Sequence, residues 1–241
     1  VGIVNSKESG TTGRKNFFLA SLPASEYDSL SAHFEQILLP RSTTLYLAGD
    51  HVQSVYFPLT SLICSIGSTQ NGEHTEVSIV GGEGMVGLSA FFGTMRESHV
   101  TVCQITGEAL RLPALPFQKL CYSRPILRNR MLCYAHIRLN QITQTAICNR
   151  FHDLEARLCR WLLLVHDRLQ SDQLPFTQEF LSMMIGSRRA ALGLVAGTLQ
   201  EAGLIRYHRG EITILNRQGL EDSACECYRI MRNELNHFLD C

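Results

Sequence analysis

Arg188 and Arg189 follow directly on Ile185-Gly186-Ser187. Adjacent guanidinium groups are the side chains best suited to fork onto paired acceptors such as phosphate oxygens or the O6/N7 edge of guanine. The residues around them supply a frame. Thr177–Met184 reads as a helix of two turns with Thr177 as N-cap, and Gly186 suits the positive φ of a tight reversal. A second helix is expected from about Arg188 to Ala202, with Ala191, Leu192, Val195 and Leu199 inward and Gly203 as its stop. Leu204–Tyr207 and Ile212–Leu215 then flank His208-Arg209-Gly210-Glu211 as a two-stranded hairpin. Helix, turn, helix and basic hairpin in that order describe a winged helix-turn-helix. In that frame Arg188 and Arg189 meet base edges in the major groove. Ser187 at the helix cap, Thr177 and the amide of Gln178 hold phosphates, and His208 and Arg209 touch the flanking backbone. The plainer alternative is a solvated first turn, but cations are disfavoured at a helix N-terminus, so two there point to an anionic partner.

Other residues that could do chemistry read more blandly. Nine cysteines at scattered positions, several inside apolar runs, suit reduced, buried thiols. Cys225-Glu226-Cys227 has one residue between its thiols, too few for a zinc knuckle, and no second pair lies near in sequence, so it is read as structural and no metal is expected. His51, His99 and Cys103 are read as core residues rather than a sensor, and Phe91-Phe92 as core. Gly81-Gly82-Glu83-Gly84 could cradle a phosphate through backbone amides, but is read as shaping a turn. No Ser/His/Asp set, carboxylate pair or nucleotide fingerprint appears, so an enzyme is not expected and no cofactor is assigned.

The elements that must position the arginines follow from periodicity. Helical texture at Asn16–Pro23 and from about Ala24 through Ile37 precedes short runs rich in β-formers, from Leu38 to about Leu115, alternating with turn residues. That spacing fits an antiparallel roll or jelly roll. Residues 126–150 hold no Gly or Pro, and Leu132, Ala135, Leu139, Ile142 and Ala146 step by threes and fours, as in a two-stranded seam. A further helix is expected over 153–169. The fold class is thus α+β, with a disordered tail over 1–15, a sensor roll over 16–122, a dimerisation helix over 123–150 and a winged helix-turn-helix over 151–241. The net charge is zero, which excludes a generally basic coat, yet segment 123–170 carries eight arginines against three carboxylates. No signal-peptide pattern opens the sequence and no apolar run nears the ~18 residues that span a bilayer, so a cytoplasmic protein without membrane contact is expected.

The sequence resembles the Crp/Fnr family of bacterial regulators from about Phe17 onward. The likeness rests on Leu45-Tyr46-Leu47-Ala48-Gly49-Asp50, Val55-Tyr56-Phe57-Pro58-Leu59, Glu83-Gly84-Met85-Val86-Gly87, Ala156–Leu163 and Thr177–Ile205. The resemblance implies a cyclic-nucleotide-binding-like roll, a parallel pair of long helices at a dimer axis, and a palindromic DNA site with half-sites ~34 Å apart. It places an effector pocket at Gly84, Met85, Val86, Gly87, Leu88, Ser98 and His99. Cyclic-AMP-binding members carry a ribose-binding glutamate and a phosphate-pairing arginine where Leu88 and Ser98 stand here. Neither residue can replace them, and Arg96 is displaced by two positions, ~7 Å along a strand. No cysteine precedes Cys64, so the four-cysteine iron–sulfur pattern of oxygen-sensing members is missing too. Arg189 matches the family's base-reading arginine, while Ala190 stands where many members have glutamate and Leu194 replaces a basic contact.

The expected function is a homodimeric, sequence-specific DNA-binding transcription regulator whose roll senses an unidentified signal other than cyclic AMP. Its expected partners are double-stranded palindromic DNA, a second copy of itself and RNA polymerase as a candidate third. The alternative is a ligand-binding regulatory module that acts through protein contacts rather than DNA.

Overall fold

The computed structural model describes residues 15–240, so the tail expected over 1–15 lies outside them but for Lys15. The chain gathers into two compact units, residues 15–65, 78–139 and 236–240 in the first, and 66–77 and 140–235 in the second. The long helix contributes to both, so this partition cuts across the boundaries drawn from sequence.

The first unit opens with α1 (Phe17–Ala20), N-capped by Asn16, whose Oδ1 accepts from the Leu19 amide at 3.1 Å. The Asn16 amide also donates to the carbonyls of Pro58 and Gly84, both at 2.8 Å, so this buried side chain ties three segments together. Helix α2 (Ala24–Ser31) stops earlier than expected, and the chain enters β1 (Glu35–Leu39). Ile37 and Leu39 are buried while Leu38 is exposed, the two-residue alternation of a strand. Leu30, Phe34 and Ile37 fit helical steps equally well, and pairing with β7 decided between the two.

Strands β2 (Thr44–Tyr46), β3 (Ser54–Pro58), β4 (Leu62–Ser68), β5 (His74–Val80), β6 (Val100–Ile105) and β7 (Gly107–Pro113) complete the roll. They form two sheets, ordered β1-β7-β3 and β2-β6-β4-β5. The β1–β7, β3–β7 and β2–β6 pairs are antiparallel. Val55, Phe57, Leu110 and Leu112 fill the core, with Phe57 edge-on to Phe34 and Phe117. A short α3 (Leu88–Phe92) interrupts the strands between Gly87 and Gly93, both left-handed. Only half of the Phe91-Phe92 pair is core: Phe91 is buried and Phe92 is 57% exposed. His51 and His99 are exposed as well, leaving Cys103 as the one buried member of that trio.

Helix α4 (Ala114–Ser123) leads into α5 (Pro125–Phe151). One face of α5 carries Leu127, Met131, Tyr134 and Ile137, all buried in the roll's core. The Tyr134 hydroxyl accepts from the Met85 amide and donates to the Met85 carbonyl, both at 2.8 Å. A Cβ on Gly84 would lie 2.2 Å from that hydroxyl, which accounts for a glycine there. Arg138 donates to the Ile79 carbonyl at 2.9 Å.

In the second unit α6 (Leu154–Leu169) starts at Asp153, whose Oδ1 accepts from the Ala156 amide at 2.8 Å. Its Trp161 packs edge-on to Phe176 and donates to Glu76 Oε1 at 3.0 Å. Helices α7 (Gln178–Ile185) and α8 (Arg189–Glu201) precede β9 (Ile205–His208) and β10 (Glu211–Ile214). A short β8 (Gln173–Leu174), read from sequence only as the end of a helix, adds a third strand on β10. Helices α9 (Arg217–Ser223) and α10 (Cys227–Asp240) close the chain. Arg217 holds them to α6 through Asp167 (2.7 Å), Glu221 (3.0 Å) and the Tyr228 hydroxyl (2.6 Å). No described helix is long and apolar enough to cross a membrane.

Two substitutions test the Tyr134–Gly84 contact. Tyr134→Phe strands the Met85 N–H and C=O and is expected to cost about 1–3 kcal/mol in urea unfolding. Gly84→Ala forces Tyr134 aside and should cost a similar amount. An unchanged denaturation midpoint in either variant would show that the contact contributes nothing.

Candidate nucleic-acid interface

Helix α7 begins as the sequence suggests: Thr177 Oγ1 accepts from the Phe180 amide at 3.2 Å. It ends at Gly186, φ +65°, whose amide reaches back to Met183 O at 3.2 Å while the Ser187 amide reaches Ser182 O at 2.9 Å. This left-handed glycine turns the chain so that α8 packs Leu192, Ala196 and Leu199 inward, as α7 does Leu181, Met184 and Ile185.

The turn is one residue longer than expected. Arg188 is the N-cap of α8, extended at φ −74°, ψ 137°, and no side chain caps the helix. Ser187 therefore lies before the cap, and its Oγ is buried with no hydrogen-bond partner among the described residues. It is not presented to a phosphate. The inward register shifts accordingly: Ala191 is exposed, and Ala196 occupies the buried position. The outer face of α8 carries Arg188, Arg189, Ala190, Ala191, Leu194 and Thr198. Leu194 is 77% exposed, and a Cβ on Gly197 would meet nothing within 4 Å. No carboxylate occupies the first turn, so both arginines sit against the positive end of the helix uncompensated from within it.

The Gln178 amide does not await a phosphate, because it donates to the Tyr207 hydroxyl at 2.9 Å. The Tyr207 amide in turn donates to Gln200 Oε1 at 2.8 Å, so β9 is fastened to both helices. The hairpin loop is two residues, Arg209 (φ +48°) and Gly210 (φ +83°), rather than four; two positive φ values mark the primed turn that matches strand twist. His208 and Arg209 are exposed at its tip. Arg206 is exposed beside them, and its two-residue spacing from His208 was the signal that sequence reading left unused.

Of the residues assigned to an effector pocket, Gly84, Met85, Val86 and Gly87 are buried, Leu88 packs on the core, and Ser98 and His99 are exposed. The loop's amides are engaged internally: Gly84 N to Gly81 O (3.3 Å), Met85 N to Tyr134 Oη (2.8 Å) and Val86 N to Tyr56 O (2.9 Å). Arg96 is exposed and donates to Gly49 O at 3.1 Å. Among the thiols, burial pushes Cys103 up to about 11 and Cys121 up to about 12. Both stay protonated near neutrality, unsuited to thiolate chemistry.

Comparisons with known proteins agree with this architecture. Residues 36–124 match the model of a cyclic nucleotide-binding domain and residues 156–223 that of a Crp-like helix-turn-helix domain. The global nitrogen regulator of Synechococcus elongatus is 24% identical over 186 residues, covering 73% of this chain and 83% of that protein. FixK2 of Bradyrhizobium japonicum superposes with a TM-score of 0.70 at 12% identity, covering 80% of this chain and 98% of that one. The c-di-GMP-responsive global regulator CLP of Xanthomonas campestris does so with a TM-score of 0.63 at 19% identity, covering 80% and 99%. With both domain models matched in order and α5 running between them, the chain belongs to the Crp/Fnr family of transcription regulators, which are not enzymes.

Proposed function

We propose that the chain acts as a homodimeric, sequence-specific regulator that reads a palindromic duplex through α8, with a roll that answers to a signal other than cyclic AMP. The observation that carries the reading is the exposed Arg188–Arg189 pair at the N-terminal end of α8, whose first turn holds no carboxylate. Anionic oxygen and guanine edges are the partners such a pair favours. Exposed Arg206, His208 and Arg209 extend the cationic surface along the hairpin and suit contacts to flanking phosphates.

The dimer reading is supported by α5. Leu132 (49%), Leu139 (61%) and Ile142 (39%) are exposed, as is Ala146, with Ala135 half-buried between them, at the spacing of a two-stranded seam. A second copy would bury that stripe. Against cyclic AMP stand Leu88, which cannot accept a ribose hydroxyl bond, and Ser98, which cannot neutralise a phosphate. One structural neighbour is described as responsive to c-di-GMP, which supports a signal other than cyclic AMP. The reading places the protein in the cytoplasm, with RNA polymerase as a further partner.

Fluorescence anisotropy with a selected palindromic duplex tests the proposal. Arg189→Ala is expected to weaken specific binding about 5- to 150-fold, the value of a bidentate base contact. Arg209→Ala should weaken all duplexes alike and lower the slope of log K against log salt by about 0.9. Affinity indifferent to Arg189→Ala, with no salt slope, would refute DNA reading. In analytical ultracentrifugation the native chain should sediment as a dimer and Leu139→Glu as a monomer; a monomeric native chain would refute the seam.

A further inference from the structure

Four side chains that lie far apart in sequence converge in the second unit. Cys148 sits on the last turn of α5, His152 follows its end, Cys225 precedes α10 and Cys227 opens it. Their ligand atoms all lie within 4.8 Å of one another, with Cys148 Sγ 3.4 Å from Cys225 Sγ and Cys227 Sγ 3.5 Å from His152 Nδ1. An ion held tetrahedrally by metal–sulfur bonds of ~2.3 Å sets its ligand atoms ~3.8 Å apart. The observed separations bracket that edge. The three cysteines are buried and His152 is half-buried, so the cluster is largely shielded from solvent.

The surroundings are those of a metal's outer shell. His152 Nε2 lies 3.2 Å from Glu226 Oε1, the carboxylate–histidine pairing that leaves Nδ1 to face the sulfurs. Gln144 Nε2 donates to Cys227 Sγ at 3.0 Å, a bond that strengthens when the sulfur is anionic. Arg157 and Arg160 lie near enough for their charges to act on Cys148, and the Nε of each is buried without a partner among the described residues. Three thiolates, one imidazole and a divalent ion carry a net charge of −1, which those guanidinium groups offset.

We propose that Cys148, His152, Cys225 and Cys227 form a structural Zn²⁺ site that clamps the end of α5 to the start of α10. From sequence alone only the Cys225–Cys227 pair stands out and no metal is expected; the fold brings Cys148 and His152 beside it. Sulfur-rich tetrahedral sites select Zn²⁺ among common divalent ions, and four protein ligands leave no open position for catalysis. Binding exchanges protons for metal. The three S–H bonds break, their protons pass to solvent, four metal–ligand bonds form, and no electron is transferred.

The test uses the full chain purified under reductant and without chelator. Elemental mass spectrometry is expected to find one zinc per chain. After chelation, Co²⁺ added to the same protein should give intense visible ligand-field bands with sulfur-to-cobalt charge transfer, discharged by one equivalent of Zn²⁺. Cys227→Ser should abolish that spectrum, Glu226→Gln should weaken Zn²⁺ binding about 10- to 100-fold through its histidine, and Cys133→Ser should retain full stoichiometry. Absence of both zinc and the cobalt spectrum in the native chain overturns the proposal, whatever the variants do. So does full retention by Cys227→Ser, or peptide mapping that finds Cys148 and Cys225 joined as a disulfide in protein prepared under reductant.

Discussion

Helix α5 carries two apolar faces, one covered within the chain and one exposed. Leu127, Met131, Tyr134 and Ile137 are buried in the roll, so that side is settled within the chain. The other side leaves Leu132, Leu139 and Ile142 to solvent. A fully buried leucine or isoleucine is worth roughly 1.5–3 kcal/mol relative to an exposed one, so a stripe of this kind is a standing drive toward association. At 27 residues the helix is roughly 40 Å long, and neither face alone fixes its whole length. Its far end also leads into Asp153, which caps α6 and so begins the segment that carries the helix-turn-helix.

The remainder of the molecule divides its polar groups between those consumed by the fold and those left outward. Around the loop at Gly84–Val86 the backbone is consumed: a tyrosine hydroxyl and neighbouring carbonyls take the amides that an anionic ligand would otherwise meet. At α8 the opposite holds. Arg188 and Arg189 gain nothing from the helix they begin, because its dipole disfavours them. The helix itself disfavours cations at that position, and that mismatch is what supports the proposed contact with an external anion.

Much of this was legible in the residues themselves. The helix–turn–helix stands out because Thr177, Gly186 and Gly203 punctuate it with side-chain and backbone chemistry that allows few alternatives. The roll stands out through short strands and regular turns, and α5 through its freedom from Gly and Pro. The failures have physical causes. Ile37 satisfied both a helical and a strand period, and only pairing with β7 decides between them. Ser187 looked like a cap because caps are chosen by residue type, yet the extended backbone at Arg188 moved the cap on by one. The Gln178 amide is taken by a tyrosine 29 positions away, and Cys148 meets a thiol 77 positions away. Contacts of that range leave no trace in local spacing.

The two-residue tip of the hairpin has a consequence for any attempt to strengthen the protein. Arg209 holds a left-handed backbone at φ +48°, a region that disfavours a side chain with a Cβ by about 1–2 kcal/mol. Glycine or asparagine would relieve that strain, asparagine without the larger backbone-entropy loss that glycine suffers on folding. Either would also strip the tip of its guanidinium. Under the proposed function, thermal robustness and contact with a phosphate backbone are therefore opposed at this one position, and selection for the first alone would erode the second.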